Sequence, residues 1–101
     1  MIDIVVGFDQ REAVAYHTFC QSVISRTSEP VRFTPLVANT VRRKDGSNDF
    51  IYSRFLVPHL MGYRGWAIFA DGDMVCREDI ARLWAMRDDR YAVQVVQHDY
   101  Q

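Results

Sequence analysis

The sequence predicts an α/β fold, a largely parallel sheet flanked by helices, and three observations carry that prediction. Apolar strand-like runs alternate with segments of helical spacing along the chain, the order that builds parallel strands joined by right-handed crossovers. Two runs, residues 2–8 and 66–70, are almost uninterrupted, as strands covered on both faces are. Each is followed at once by aspartate, Asp9 and Asp71. The two strands are therefore expected side by side near the middle of the sheet, with carboxylates at the carboxyl edge, where open α/β sheets bind ligands at a topological switch point.

Each element follows from local chemistry. Residues 2–8 form the first strand. Asp9-Gln10-Arg11-Glu12 places a cap residue three positions before a glutamate, the pattern of a capping box. A helix is expected over about residues 12–26, with Val14, Tyr16, Cys20, Val23 and Ile24 near helical spacing and Thr27-Ser28-Glu29-Pro30 as its stop. Residues 31–37 read as a second strand, and Pro35, which cannot donate to a ladder, suits the edge of the sheet. Residues 38–49 read as loop. Residues 49–57 return to helical spacing and run into Pro58, which is expected to end or kink them. The turn Gly62-Tyr63-Arg64-Gly65 leads into the strand 66–70. Residues 74–76 read as a short extended piece. Asp79, Ile80, Leu83 and Trp84 fit an amphipathic helix over about residues 78–86, and residues 91–96 read as the last strand.

The chain has 101 residues, which bounds it to one domain, residues 1–101, with one core. Its 49% hydrophobic and 13% aromatic content excludes a disordered segment. A net charge of −1, with one basic run, Arg42-Arg43-Lys44, and no aromatic residues within it, argues against nucleic-acid binding. The first residues lack a basic region, and their apolar stretch is too short for a signal peptide or a spanning helix, so the chain is expected to be cytoplasmic. Cys20 and Cys76 show no metal-ligand spacing and read as reduced packing thiols.

The chemistry concentrates at Asp71-Gly72-Asp73. Two carboxylates one residue apart at a strand tip are hard oxygen ligands that suit Mg²⁺ or Mn²⁺, and such an ion commonly brings the phosphates of a nucleotide with it. Asp-Gly is also ordinary turn chemistry, and both readings stand on the triplet alone. Asp9 is likewise open between capping the helix and meeting a ligand, two roles that are compatible. His98 and Asp99, after the last expected strand, are candidates for an acceptor pocket, whereas His17 and His59 lie in apolar helical segments and read as structural histidines.

Tyr52-Ser53-Arg54-Phe55-Leu56-Val57-Pro58, then Ile68-Phe69-Ala70-Asp71-Gly72-Asp73-Met74-Val75, then Asp79-Ile80-Ala81-Arg82-Leu83-Trp84, in that order after a strand ending in aspartate, resembles the N-terminal half of GT-A fold glycosyltransferases of family 8, the group related to glycogenin. The resemblance covers nearly the whole chain and implies a truncated, Rossmann-like nucleotide-sugar domain. It implies a sugar donor linked to a nucleoside diphosphate, usually UDP, and Mn²⁺ or Mg²⁺ as cofactor. It implies that Asp73 binds the metal directly, that Asp71 is shared between metal and ribose or sugar, and that Arg54 contacts the donor's phosphates or sugar. Phe8 and Asp9 at the first strand's tip, with Tyr52 and Gly72, would line the nucleotide site. Tyr52 is explained equally well by packing. Members of the family run well past 200 residues, and their later half supplies a histidine that completes the metal site and most of the acceptor pocket. The chain is therefore expected to be a fragment, prone by itself to self-association and inactive in sugar transfer.

Two alternatives remain at this point. Asp71-x-Asp73-x-Val75 also resembles the first motif of haloacid-dehalogenase-type phosphatases, but that scheme needs a later lysine and a late acidic pair; Lys44, the only lysine, precedes the triplet, and Asp88-Asp89 reads as a turn. The other is a nucleotide-sugar-binding remnant without catalysis.

Overall fold

A computed structural model describes residues 1–37, 57–62 and 64–95. The uninterrupted apolar run at the start becomes strand β1, Ile2–Phe8, in which Ile2, Ile4, Val5 and Val6 are all buried. It is the middle strand of a three-stranded sheet with the order β2-β1-β3. Strand β2, Val31–Val37, runs parallel to it along its whole length, from Ile2 opposite Val31 to Phe8 opposite Val37. Pro35 sits opposite Val6 on this strand, which has no neighbour on its far side among the described residues, as its missing N–H requires. Strand β3, Ile68–Ala70, is parallel on the other side, with Ile4 opposite Ile68, Val5 opposite Phe69 and Val6 opposite Ala70.

Because side chains alternate along a strand, Ile2, Ile4 and Val6 share one face. They form the core with Phe19 and Val23 of helix α1, Ala13–Ile24, with Ala70, and with Ile80 of the short helix that follows the third strand. Burying each large apolar side chain contributes about 1.5–3 kcal/mol, so this cluster is what holds α1 to the sheet. Val5 and Leu36, on the opposite face by the same alternation, are also buried. Ser22 is the buried polar residue of α1. Its hydroxyl donates to the Phe19 carbonyl at 2.6 Å and accepts the Cys76 N–H at 2.8 Å, fastening the segment after β3 along the helix.

Helix α2 is Val57–Leu60 and helix α3 is Ile80–Trp84. Asp79 caps α3 by accepting the Ala81 N–H at 2.9 Å, and both of its oxygens accept the Ser28 N–H at 3.1 Å. One carboxylate thus ties the turn before β2 to the start of α3. Among the described residues no helix is long and apolar enough to cross a membrane.

Several expectations require correction. The strand expected over residues 66–70 begins only at Ile68; the Trp66 indole N–H instead donates to Asp89 at 3.0 Å. Residues 91–95 are not a strand, despite their alternation, and lie exposed. Gln94 explains this, since its side chain accepts the Asp88 N–H at 2.9 Å and donates to the Met86 carbonyl at 3.0 Å, bending the segment back on the end of α3. Residues 74–76 join no ladder among the described strands. The expected helix over 12–26 is a 3-10 turn, Gln10–Glu12, followed by α1, and the expected 78–86 helix is shorter because Asp79 is its cap. Pro58 lies within α2, and the helical segment it is expected to end or kink falls mostly outside the described residues. His17 is exposed and so is no core histidine. Residues 38–56, and with them most of the 49–57 segment, lie outside the described residues, as do Val96 and the side chain of His59.

Candidate functional site

Strand order locates the site. From β1 the chain crosses to β2 on one side and later to β3 on the other, so the boundary between β1 and β3 is a topological switch point. Asp71-Gly72-Asp73 follows Ala70 without a break at the carboxyl end of that boundary, and both carboxylates are exposed.

Gly72 sets how the turn sits. A Cβ there would lie 2.3 Å from the carbonyl oxygen of Gly7 and 4.0 Å from the Tyr16 Cα. The turn therefore rests on the backbone of β1 itself, at the residue before Phe8, and glycine is required for space. Phe8, half-buried at the tip of β1, packs edge-on against Tyr16 with ring centroids 5.1 Å apart. Burial, with Cys20 beside it, pushes the Tyr16 phenol up to about 12. Cys20 and Cys76 are both free thiols, half-buried as packing residues are.

Asp9 caps the start of the helical segment. Its Oδ1 accepts the Arg11 backbone N–H at 2.9 Å and the Arg11 Nε–H at 3.1 Å, and its Oδ2 accepts from Nη2 at 2.9 Å. The Glu12 N–H goes to the Asp9 carbonyl at 2.8 Å, so the side-chain bond expected at position 12 is made at position 11. The Arg11 guanidinium, foremost by hydrogen bonding, holds the Asp9 carboxyl below the usual carboxylate range.

The structure thus brings Phe8, Asp9, Asp71, Gly72 and Asp73 to one sheet edge. Arg54, Tyr52, His98 and Asp99 lie outside the described residues. Among the described residues no group of three or more His, Cys, Asp or Glu side chains is placed to hold a metal ion. Two exposed carboxylates fit the manner in which Mg²⁺ is usually held, by one or two carboxylates with waters and substrate phosphates completing the shell, and do not fit a closed protein cage. Sequence reasoning passed over Gly7, Tyr16 and Arg11. A glycine inside a buried strand signals a close backbone approach, which is the readable sign for Gly7; Tyr16 and Arg11 owe their places to packing and pairing that spacing does not reveal.

Residues 7–101 match glycosyl transferase family 8. Protein CDI of Arabidopsis thaliana is 42% identical over 106 residues, an alignment that covers 96% of this chain and 41% of the plant protein. The chain spans about two-fifths of the length of that curated relative. No solved structure matches the chain.

Proposed function

The chain belongs to glycosyl transferase family 8, and from that premise we propose that it forms the nucleotide-sugar-binding part of a metal-dependent glycosyltransferase, one that moves a sugar from a UDP-linked donor to an acceptor. The observation that carries the reading is the Asp71-Gly72-Asp73 turn seated on Gly7 at the β1–β3 switch point. Family membership leaves the phosphatase reading of the same triplet without support.

Asp73 and Asp71 would hold Mn²⁺ or Mg²⁺. When bound, the dication supplies Lewis-acid stabilisation to a diphosphate leaving group, whose negative charge grows as the glycosidic bond breaks. The chain's own residues bind and orient. Phe8 and Asp9, at the tip of β1, receive the base and ribose. Gly72 keeps the carboxylates against the strand. Arg54 offers a planar fork suited to phosphate oxygens, and Tyr52 borders the donor. The reading extends to a cytoplasmic setting, in keeping with two free thiols.

A thermal-shift assay on the protein containing residues 1–101 tests this with UDP, Mn²⁺ and EDTA. Ligand at a hundred times its dissociation constant stabilises by about 2.7 kcal/mol, an easily read shift. UDP should stabilise only when Mn²⁺ or Mg²⁺ is present, and Asp73→Asn should abolish the effect by removing charge while keeping shape. Equal shifts in EDTA, or an unaltered response in the variant, would refute the metal assignment. Metal-dependent UDP binding in a protein that never releases sugar from UDP-sugars would instead mark a binding remnant.

A further inference from the structure

We propose that Ser22 is a positioning residue for metal and donor binding, the tie on α1 that sets where the Asp71-Gly72-Asp73 turn stands. The inference rests on the donor-site reading above and deepens it. Residues 74–76 join no ladder among the described strands, so the chain beyond β3 is placed by contacts with α1 rather than by strand pairing. At its start Gly72 rests against the Gly7 carbonyl and the Tyr16 backbone. Further on, the Cys76 N–H donates to the Ser22 Oγ at 2.8 Å. The segment thus runs alongside α1 in the same direction, from Tyr16 to Ser22, and Asp73 lies between the two points of attachment.

The helix itself has no need of this serine. Ser22 is 8% exposed, and at a buried helical position alanine is the better helix former and brings no polar atom to satisfy. What alanine lacks is an acceptor for Cys76. The Ser22 hydroxyl donates to the Phe19 carbonyl at 2.6 Å, which fixes its rotor and leaves its lone pairs to the Cys76 N–H. That bond is directional and sets the position of the segment along the helix, whereas the packing of the Cys76 side chain against the core is non-directional and permits sliding. Among the described residues, the next hydrogen bond from this segment to a distant part of the chain is at Asp79, which accepts the Ser28 N–H at 3.1 Å. Without the Ser22 oxygen the stretch from Gly72 to Asp79 is hydrogen-bonded across only at its far end. Carboxylates that share an ion must be held to within about 0.5 Å, and that looseness takes them out of place.

Calorimetric titration with UDP in the presence of Mn²⁺, well below the melting temperature, tests the assignment on the protein containing residues 1–101, using wild type, Ser22→Ala, Ser22→Cys, Ser22→Thr and Val23→Ala. Val23 is fully buried in the same helix–sheet contact, so Val23→Ala lowers stability without touching the tie. Ser22→Ala is expected to weaken UDP binding by on the order of tenfold, less than the roughly 100-fold cost of displacing reactive groups by about 1 Å. Ser22→Thr keeps the hydroxyl and should bind nearly as wild type does. Ser22→Cys keeps the volume with a weaker acceptor and should fall between the two. Val23→Ala should melt lower than wild type yet bind UDP equally well, which separates positioning from folding. Wild-type affinity in Ser22→Ala would overturn the proposal, as would an equal loss in Val23→Ala, which would reduce Ser22 to a packing residue. Should Ser22→Ala fail to fold, the comparison of Ser22→Cys with Ser22→Thr decides, and equal affinities there would overturn the proposal. Absence of metal-dependent UDP binding in the wild type would overturn the donor-site reading and this inference together.

Discussion

Replacing Gly72 with alanine adds one methyl group where the fold has no room for it. The new Cβ would stand 2.3 Å from the Gly7 carbonyl oxygen, whereas carbon–oxygen contacts settle at about 3.3 Å or more, so roughly 1 Å must open. Gly7 cannot retreat, because it is buried in the middle strand and held opposite Leu36 on β2. The turn must move instead, between the three residues of β3 before it and the Cys76–Ser22 hydrogen bond after it. Overpacking of this size costs about 1–3 kcal/mol, offset by about 0.4–1 kcal/mol from the stiffer unfolded chain. The melting temperature should fall by roughly 4–8 °C for each net kcal/mol in a domain of this size. Binding should suffer more than stability, since shifting reactive groups by about 1 Å costs on the order of 100-fold. Melts followed by circular dichroism, with and without UDP and Mn²⁺, measure both effects. An alanine variant that melts with wild type and keeps its metal-dependent UDP shift would refute the close-approach argument.

Two further outcomes follow from the structure. The Asp79 carboxyl is held below 3.8 by the Ser28 hydroxyl and the Ala81 and Ser28 N–H groups, so its contribution is fully present above about pH 4 and is lost as pH falls through the lowered folded value. Asp79→Asn should therefore melt below wild type at pH 7, by a margin that shrinks on acidification past pH 4; a margin independent of pH would contradict this. The exposed apolar side chains Leu83, Met86, Tyr91, Val93 and Val95 should make the isolated 101-residue chain self-associate, and a monodisperse monomer in light scattering with a sharp cooperative melt would show otherwise.

What could be read from the residues was whatever depends on near neighbours. The strands at 2–8 and 31–37 were plain from their apolar runs, and Pro35 indicated the outer place of the second. The pairing of β1 with β3 was readable because both runs are apolar enough to be covered on both faces, and the aspartates that follow them marked the carboxylate edge. The failures come from side chains that reach beyond their own segment. Trp66 looks like strand but spends its N–H on Asp89, and Val93 and Val95 alternate like a strand while Gln94 holds their backbone elsewhere. Asp79 matches the apolar side of a helix by spacing, yet its carboxylate is needed at the cap and at Ser28. The seating of Gly72 on Gly7 depends on the register of two distant strands, which no local pattern encodes.

The position of β1 also fixes the order in which the domain can be completed during synthesis. Of the three described strands, the one earliest in the chain lies between the other two, with β2 available early and β3 arriving only after residue 67. At about 5–20 residues per second, β1 has its second edge unpaired for roughly two to six seconds after β2 emerges. Val5 and Val6, which later face Phe69 and Ala70, are then open to mispairing with other nascent chains. The acidic turn follows β3 directly, so closing the sheet and seating the carboxylates are one late event. A ribosome-stalled chain ending before residue 68 would carry Asp9 at the tip of β1 without the Asp71-Gly72-Asp73 turn that seats beside it.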